Sequence, residues 1–305
     1  MKIKIPQNDF IVSQRYADIC DIIYSYTYFA SGSFQVFQLS DEQLLKEASK
    51  LTSKTISIYC FTNVISRLFP LIKQINKKII FFTGCSDQAI NETLYSQRPN
   101  NVIKWFAENV DYKHDDLIPT PIGSLVGSWI GNEEIPSILC GHKDFVKIPV
   151  DEAEKENKNL ILMSFSLNTK HSSRSELFNF FKDKTYVTDL CSHGWYHGHE
   201  QNDNSKKTLT EKEFCQEIYN HKFVLCPEGN GIDCGRTWVS IQLGSIPIVK
   251  NSILIEYVKD KLPIFVYQNL EEITEETLRA FKPKFSNYDL VDINYYKNVI
   301  KLLKE

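Results

Sequence analysis

Short apolar runs of strand length alternate with segments of helical period along most of this chain. In the first half, residues 56–61 (ISIYCF) and 78–83 (KIIFFT) are β-branched and aromatic runs that predict strands. Residues 64–75 between them have the apolar spacing of a crossover helix. Residues 102–109 predict a further short helix, and 118–122 (IPTPI) an extended segment, because its prolines forbid a helix interior. The second half alternates more regularly. Strands are predicted at 160–165, 185–188, 223–226, 246–249 and 264–267. Helices are predicted at 173–181, 210–219, 235–243, 253–259 and 274–281, with a last amphipathic helix at 295–303. Strand–helix alternation predicts the α/β class with Rossmann-like parallel sheets, whose ligands bind at the carboxyl ends of the strands. Residues 151–159 (DEAEKENKN) are polar apart from one alanine. They read as an exposed connector or a solvated helix, and the domain boundary is placed there, giving domains 1–150 and 151–305. The first 50 residues carry little pattern.

Composition narrows the partners. A chain of 305 residues is long enough for two domains, each with its own core. The net charge of −3 argues against nucleic acid as a partner, since phosphate backbones demand basic patches. The eight cysteines form no C-x-x-C pair, and several sit inside apolar runs, which predicts buried thiols in a reducing compartment. No apolar stretch has the length of a membrane span and the N-terminus lacks a signal-like apolar core, so the expected location is the cytoplasm. Composition gives no oligomeric state.

The chemistry concentrates in residues 222–249, KFVLCPEGNGIDCGRTWVSIQLGSIPIV, which read as strand, loop, helix and strand. Gly229, Gly231 and Gly235 permit close backbone approach to a ligand. The helix starts near Gly235 and ends at Gly244, and its free N–H groups and positive dipole end form a ready site for a diphosphate. Arg236 in the first turn opposes the dipole, which a bound anion would justify. Glu228 and Asp233 are acceptors suited to ribose or sugar hydroxyls. The same loop also reads as a plain glycine-rich turn with Asp233 as the helix N-cap. A P-loop is excluded, because no two of these glycines have the required spacing and Arg236 stands where lysine is needed.

This segment resembles the donor-domain pattern of the exostosin-like glycosyltransferases, P-x-G-x-G-x-D-x-x-R-x-W-E-A-L-x-x-G-x-I-P-I-V. The matches are Pro227, Gly229, Gly231, Asp233, Arg236, Trp238, Gly244, Ile246, Pro247, Ile248 and Val249. Upstream, 104–110 (KWFAENV) with 118–123 (IPTPIG), 165–174 (FSLNTKHSSR) and 82–87 (FTGCSD) are similar to other segments of that family. The chain is similar in size to the soluble xylosyltransferases of this type from large algal viruses. The resemblance implies a GT-B fold, two facing Rossmann-like domains with an interdomain cleft. The N-terminal domain would bind a carbohydrate acceptor and the C-terminal domain a nucleoside-diphosphate sugar, UDP-sugar favoured. It further implies inverting transfer with Asp87 as the base. One position departs from the pattern: the glutamate after tryptophan is Val239 here, which leaves its donor-holding role to Asp233 or Glu228, changes the donor, or weakens activity.

Other candidates are weighed beside these. Asp87 also suits the N-cap of a following helix. Asn168, Thr169 and Arg174 follow the first donor-domain strand and are expected at the leaving diphosphate, or as capping residues and a solvated arginine. His193, His197 and His199 (in SHGWYHGHE) have metal-like spacing without a cysteine pair, and a surface loop explains them. No D-x-D triad occurs. The expectation is therefore no metal and no cofactor, with donor-binding residues Asn168, Thr169, Arg174, Glu228, Gly229, Asn230, Gly231, Asp233 and Arg236, and helix dipole and arginine stabilising the leaving group. A nucleotide-sugar epimerase and a non-catalytic nucleotide- or sugar-binding module are the rival expectations.

Overall fold

The structure is a computed structural model and describes residues 10–11, 13, 15–30, 33–123, 159–167, 172–191, 211–283 and 287–305. Residues 151–158 of the 151–159 connector, Asn168, Thr169 and the histidine loop lie outside the described residues.

The first half opens with helix α1 (Arg15–Asp18) and strand β1 (Ile22–Ile23). An antiparallel hairpin follows, β2 (Ser25–Ala30) and β3 (Ser33–Gln38). Then come α2 (Asp41–Lys50), β4 (Thr55–Phe61), α3 (Ile65–Ile72), β5 (Lys78–Gly84), α4 (Glu92–Ser96), β6 (Val102–Ala107) and β7 (Leu117–Pro119). The sheet order is β1-β4-β5-β6-β7, all parallel. The second half contains β8 (Asn159–Met163), α5 (Ser172–Phe181), β9 (Val187–Asp189), α6 (Glu211–Asn220) and β10 (His221–Leu225). It continues with α7 (Gly235–Gln242), β11 (Ile246–Lys250), α8 (Ile253–Val258), β12 (Phe265–Tyr267), α9 (Glu275–Ala280) and α10 (Ile293–Lys304). Its sheet runs β12-β11-β10-β8-β9, also all parallel. Both halves are Rossmann-like, as in the GT-B class, and the second has its topological switch point between β8 and β10.

Each sheet is buried on both faces, which explains its continuous apolar strands. Helices α2, α3 and α4 cover one face of the first sheet. Tyr16 of α1 and Ile293, Tyr296 and Ile300 of α10 cover the other, so the chain's last helix returns to the first sheet. In the second sheet, α6, α7 and α8 share one core and α5 and α9 the other. Among the described residues, no helix is long and apolar enough to cross a membrane.

One predicted element has the wrong type. Residues 102–109 form strand β6 and a following turn, where the pattern predicts a helix. The run VIKWFA is apolar on both sides because β6 is a central strand, and such a run has no period to separate helix from strand. Consecutive residues settle it: Trp105 packs in one core and Phe106 in the other. This change puts Glu108 and Asn109 at a carboxyl edge, where ligands bind in this class of sheet.

Candidate active site

The site is built where the carboxyl edges of the two sheets approach. From the second sheet comes the loop 226–234 after β10, which leads into α7. Cys234 is the N-cap residue, and its side chain makes no capping bond. Asp233 is therefore not the N-cap, and it holds three N–H groups. Its carboxylate accepts from Ile122 N at 2.9 Å, from Cys234 N at 2.7 Å and from Trp238 Nε1 at 2.8 Å. Ile122 belongs to the first half, so this carboxylate ties the two halves together. Burial pushes its carboxyl up to about 6.

Arg174 and Arg236 are brought together behind this loop. Both are buried, each 7 % exposed, and each guanidinium lies 6.0 Å from the Phe165 ring centroid. Arg174 Nε donates to Glu228 O at 2.7 Å and Nη1 to Ser166 O at 3.0 Å, which joins the loops after β8 and β10. Burial lowers the pKa of Arg174, and the charge of Arg236 lowers it further. The sequence pattern placed the two arginines 62 positions apart; the switch point makes them neighbours. Glu228 is half-buried and Asn230 exposed. Gly229 N donates to Gly231 O at 3.1 Å, closing the glycine turn. Val239 is buried in the core that α7 shares with α6 and α8, which is why an apolar residue is stable there.

From the first sheet comes the turn Cys85–Asp87 after β5. Asp87 is exposed and caps no helix; α4 is capped by Asn91, whose side chain accepts from Leu94 N. That removes the N-cap reading of Asp87. Cys85 and Asn109 both have positive φ, 59° and 53°, a conformation costly for residues with a Cβ and often kept at functional turns.

Asn109 is the hinge-pin that motif reading left without a role. Its Nδ2 donates to Ser86 O at 2.7 Å, and its Oδ1 accepts from Asp233 N at 2.9 Å. One side chain therefore joins the Asp87 turn to the donor loop. Gly231 lies directly against it: a Cβ there would stand 2.8 Å from Asn109 Oδ1. This close approach gives a steric reason for glycine at 231. At Gly229 the nearest atom to a Cβ is Arg174 Nη2 at 3.6 Å, which is ordinary contact. Beside Asn109, Glu108 is 2 % exposed and accepts from Cys85 N at 2.8 Å. Burial, with the charges of Asp233 and Asp87 adding to it, pushes its carboxyl up to about 8. Both residues belong to the KWFAENV segment, whose apolar run has no period to mark the strand end at which they lie.

Beyond the loop, a hollow of about 310 Å³ opens at the ends of β11 and β12, lined by Ser173, Glu176, Lys250, Tyr267, Gln268 and Asn269 among others. Among the described residues no cluster of His, Cys, Asp and Glu has the arrangement of a metal site.

Residues 142–273 match the family described as the RXYLT1 C-terminal domain. A search of curated proteins gives no match. Among solved structures, the spinosyn forosaminyltransferase SpnP is similar at 10% identity with a TM-score of 0.31, over 87% of this chain and 74% of that one. The family match covers the 226–234 loop, α7 and the two arginines, the same half on which the exostosin-like resemblance rests.

Proposed function

We propose that this glycosyltransferase-like protein moves a sugar from a nucleoside-diphosphate sugar, a UDP-sugar in first place, to a hydroxyl of a carbohydrate acceptor. The observation that carries the reading is the pair Arg174 and Arg236, two buried cations held together at the N-terminus of α7. Like charges out of water oppose one another, and a diphosphate between them relieves that repulsion with charge-assisted hydrogen bonds. The positive dipole end of α7 adds to the same anion site. In this reading Asn168 and Thr169 also bind the donor. The backbone of Gly229, Asn230 and Gly231 lies along it, and Glu228 accepts from a ribose or sugar hydroxyl. Asp233 serves the site by holding the loop against the first half. The hollow beyond Lys250 is within the size range of small-molecule sites and would take the nucleoside.

The proposed chemistry is a single inverting displacement. The acceptor oxygen attacks the anomeric carbon as the bond to the diphosphate breaks. Asp87 takes the hydroxyl proton, and the electron pair leaves with the diphosphate, whose charge the arginines and the helix stabilise. These groups supply the role a divalent metal has in other transferases, so the reaction is proposed to be metal-independent. RXYLT1 is a xylosyltransferase family, which makes UDP-xylose the first donor to test.

The test is a thermal-shift screen with UDP, GDP, CMP and their common sugars, including UDP-xylose, with and without EDTA. A ligand at 100 times its dissociation constant stabilises by about 2.7 kcal/mol. The expected result is a rise with one nucleotide, unchanged by EDTA and lost in Arg236→Ala. Well-folded protein that responds to no nucleotide would sink the proposal.

A further inference from the structure

Among the described residues, Glu108 is the buried carboxyl on the acceptor side that the transfer scheme leaves unused. It sits at the end of β6 with Oε2 on Cys85 N, while Oε1 is buried and has no hydrogen-bond partner. Oε1 lies against Gly84, where a Cβ would come within 2.7 Å of it. The groups around it are acids, phenols, a thiol and a hydroxyl. Asp87 and Asp233 act on it from the turn after β5 and from the donor loop, and Ser13 hydrogen-bonds it. Tyr16 from α1 and Tyr59 from β4 feel its charge, and Tyr59 Oη donates to Cys85 Sγ at 3.2 Å. None of these neighbours is a cation. A carboxylate so placed faces two other carboxylates and little solvent, so the neutral acid is the stable form.

The consequence falls on the turn that carries Asp87. Cys85 N is held by Glu108 and by Ser13 Oγ at 2.9 Å, and Ser86 O is held by Asn109. Two consecutive residues just after β6 thus fix the two residues before Asp87, against the positive φ of Cys85. We propose that Glu108, as a neutral buried acid, is a positioning residue that locks the Cys85–Asp87 turn, and that its ionisation loosens the turn and withdraws Asp87 from the acceptor. This rests on the reading of Asp87 as the base. Loss of its proton would add a third negative charge to the Asp87–Asp233 neighbourhood, which only turn movement or water entry can relieve.

The experiment has two arms, so that failure of the proposal and failure of the transferase reading separate. The first needs no substrate. The infrared difference spectrum of wild type minus Glu108→Gln is expected to show a protonated carboxylic acid at neutral pH that disappears above about pH 8. Amide exchange across residues 84–88 is expected to rise by up to about tenfold in Glu108→Ala, the size of a lost hydrogen bond, and to stay protected in Glu108→Gln. No protonated-acid band at neutral pH, or unchanged exchange in Glu108→Ala, overturns the proposal. The second arm follows transfer from UDP-xylose against pH. Wild type is expected to lose kcat above about pH 8 with KM for UDP-xylose unchanged, and Glu108→Gln to keep its plateau. The same alkaline loss in Glu108→Gln overturns the positioning role. If UDP-xylose is neither bound nor turned over, that counts against the donor reading, and the first arm still decides Glu108.

Discussion

Gly231→Ala puts one methyl group into the contact that joins the two halves. The new Cβ would lie 2.8, 3.0 and 3.1 Å from Oδ1, Nδ2 and Cγ of Asn109. Asn109 cannot swing away cheaply: its amide is bonded to Asp233 N and Ser86 O, and its backbone already has positive φ. Overpacking of this kind costs about 1–3 kcal/mol, and losing either hydrogen bond adds about 0.5–1.5 kcal/mol. A total near 3 kcal/mol corresponds to a melting temperature lower by roughly 6–12 °C at about 2–4 °C per kcal/mol. The assay is thermal unfolding of wild type, Gly231→Ala, Asn109→Gly and the double variant. Asn109→Gly removes the obstructing amide and suits the φ, so the double variant is expected to melt above the sum of the single losses, with a coupling energy of about 1–2 kcal/mol. A Gly231→Ala protein that melts with wild type, or additive losses in the double variant, would refute the contact and with it the link between the two loops.

Asp87→Asn is expected to lower kcat by about 100-fold or more while leaving nucleotide binding unchanged, read by steady-state kinetics and thermal shift; weakened UDP binding would assign Asp87 to the donor. Glu108 and Asp233 hold their protons to about 8 and about 6, above their ordinary 4.5 and 3.8. Each binds its proton more tightly folded than unfolded, so their stabilising contribution is complete below about pH 4 and is lost as pH rises through those values. The urea midpoint should therefore fall from about pH 5 to about pH 8, and Glu108→Gln should flatten the upper part; an unchanged slope in that variant contradicts the assignment. Exhaustive chelation is expected to leave the transfer rate unchanged, and a rate restored only by an added divalent cation would reject metal-independent transfer.

Much of the fold was legible in the sequence because its signals are local. The strands of the second half are short apolar runs bounded by turns, and Gly244, with φ of 75°, ends α7 where the sequence placed the helix C-terminus. The loop 227–236 could be found because its glycines, Asp233 and Arg236 are close in the chain. Tertiary structure alone decided what joins distant segments. The run 102–107 is a strand because neighbours cover both its faces, a fact that no period within it records. Arg174 meets Arg236 because the sheet order reverses between β8 and β10. Asp233 turned out to clasp Ile122 and Trp238 because the first half lies against the loop. The pattern of residues 102–109 predicts a helix, and only the approach of the two carboxyl edges gives Glu108 and Asn109 their neighbours. Hydrophobic pattern and turn chemistry act over a few residues and write the elements into the sequence; burial of charge and hydrogen bonding across the two halves depend on long-range packing.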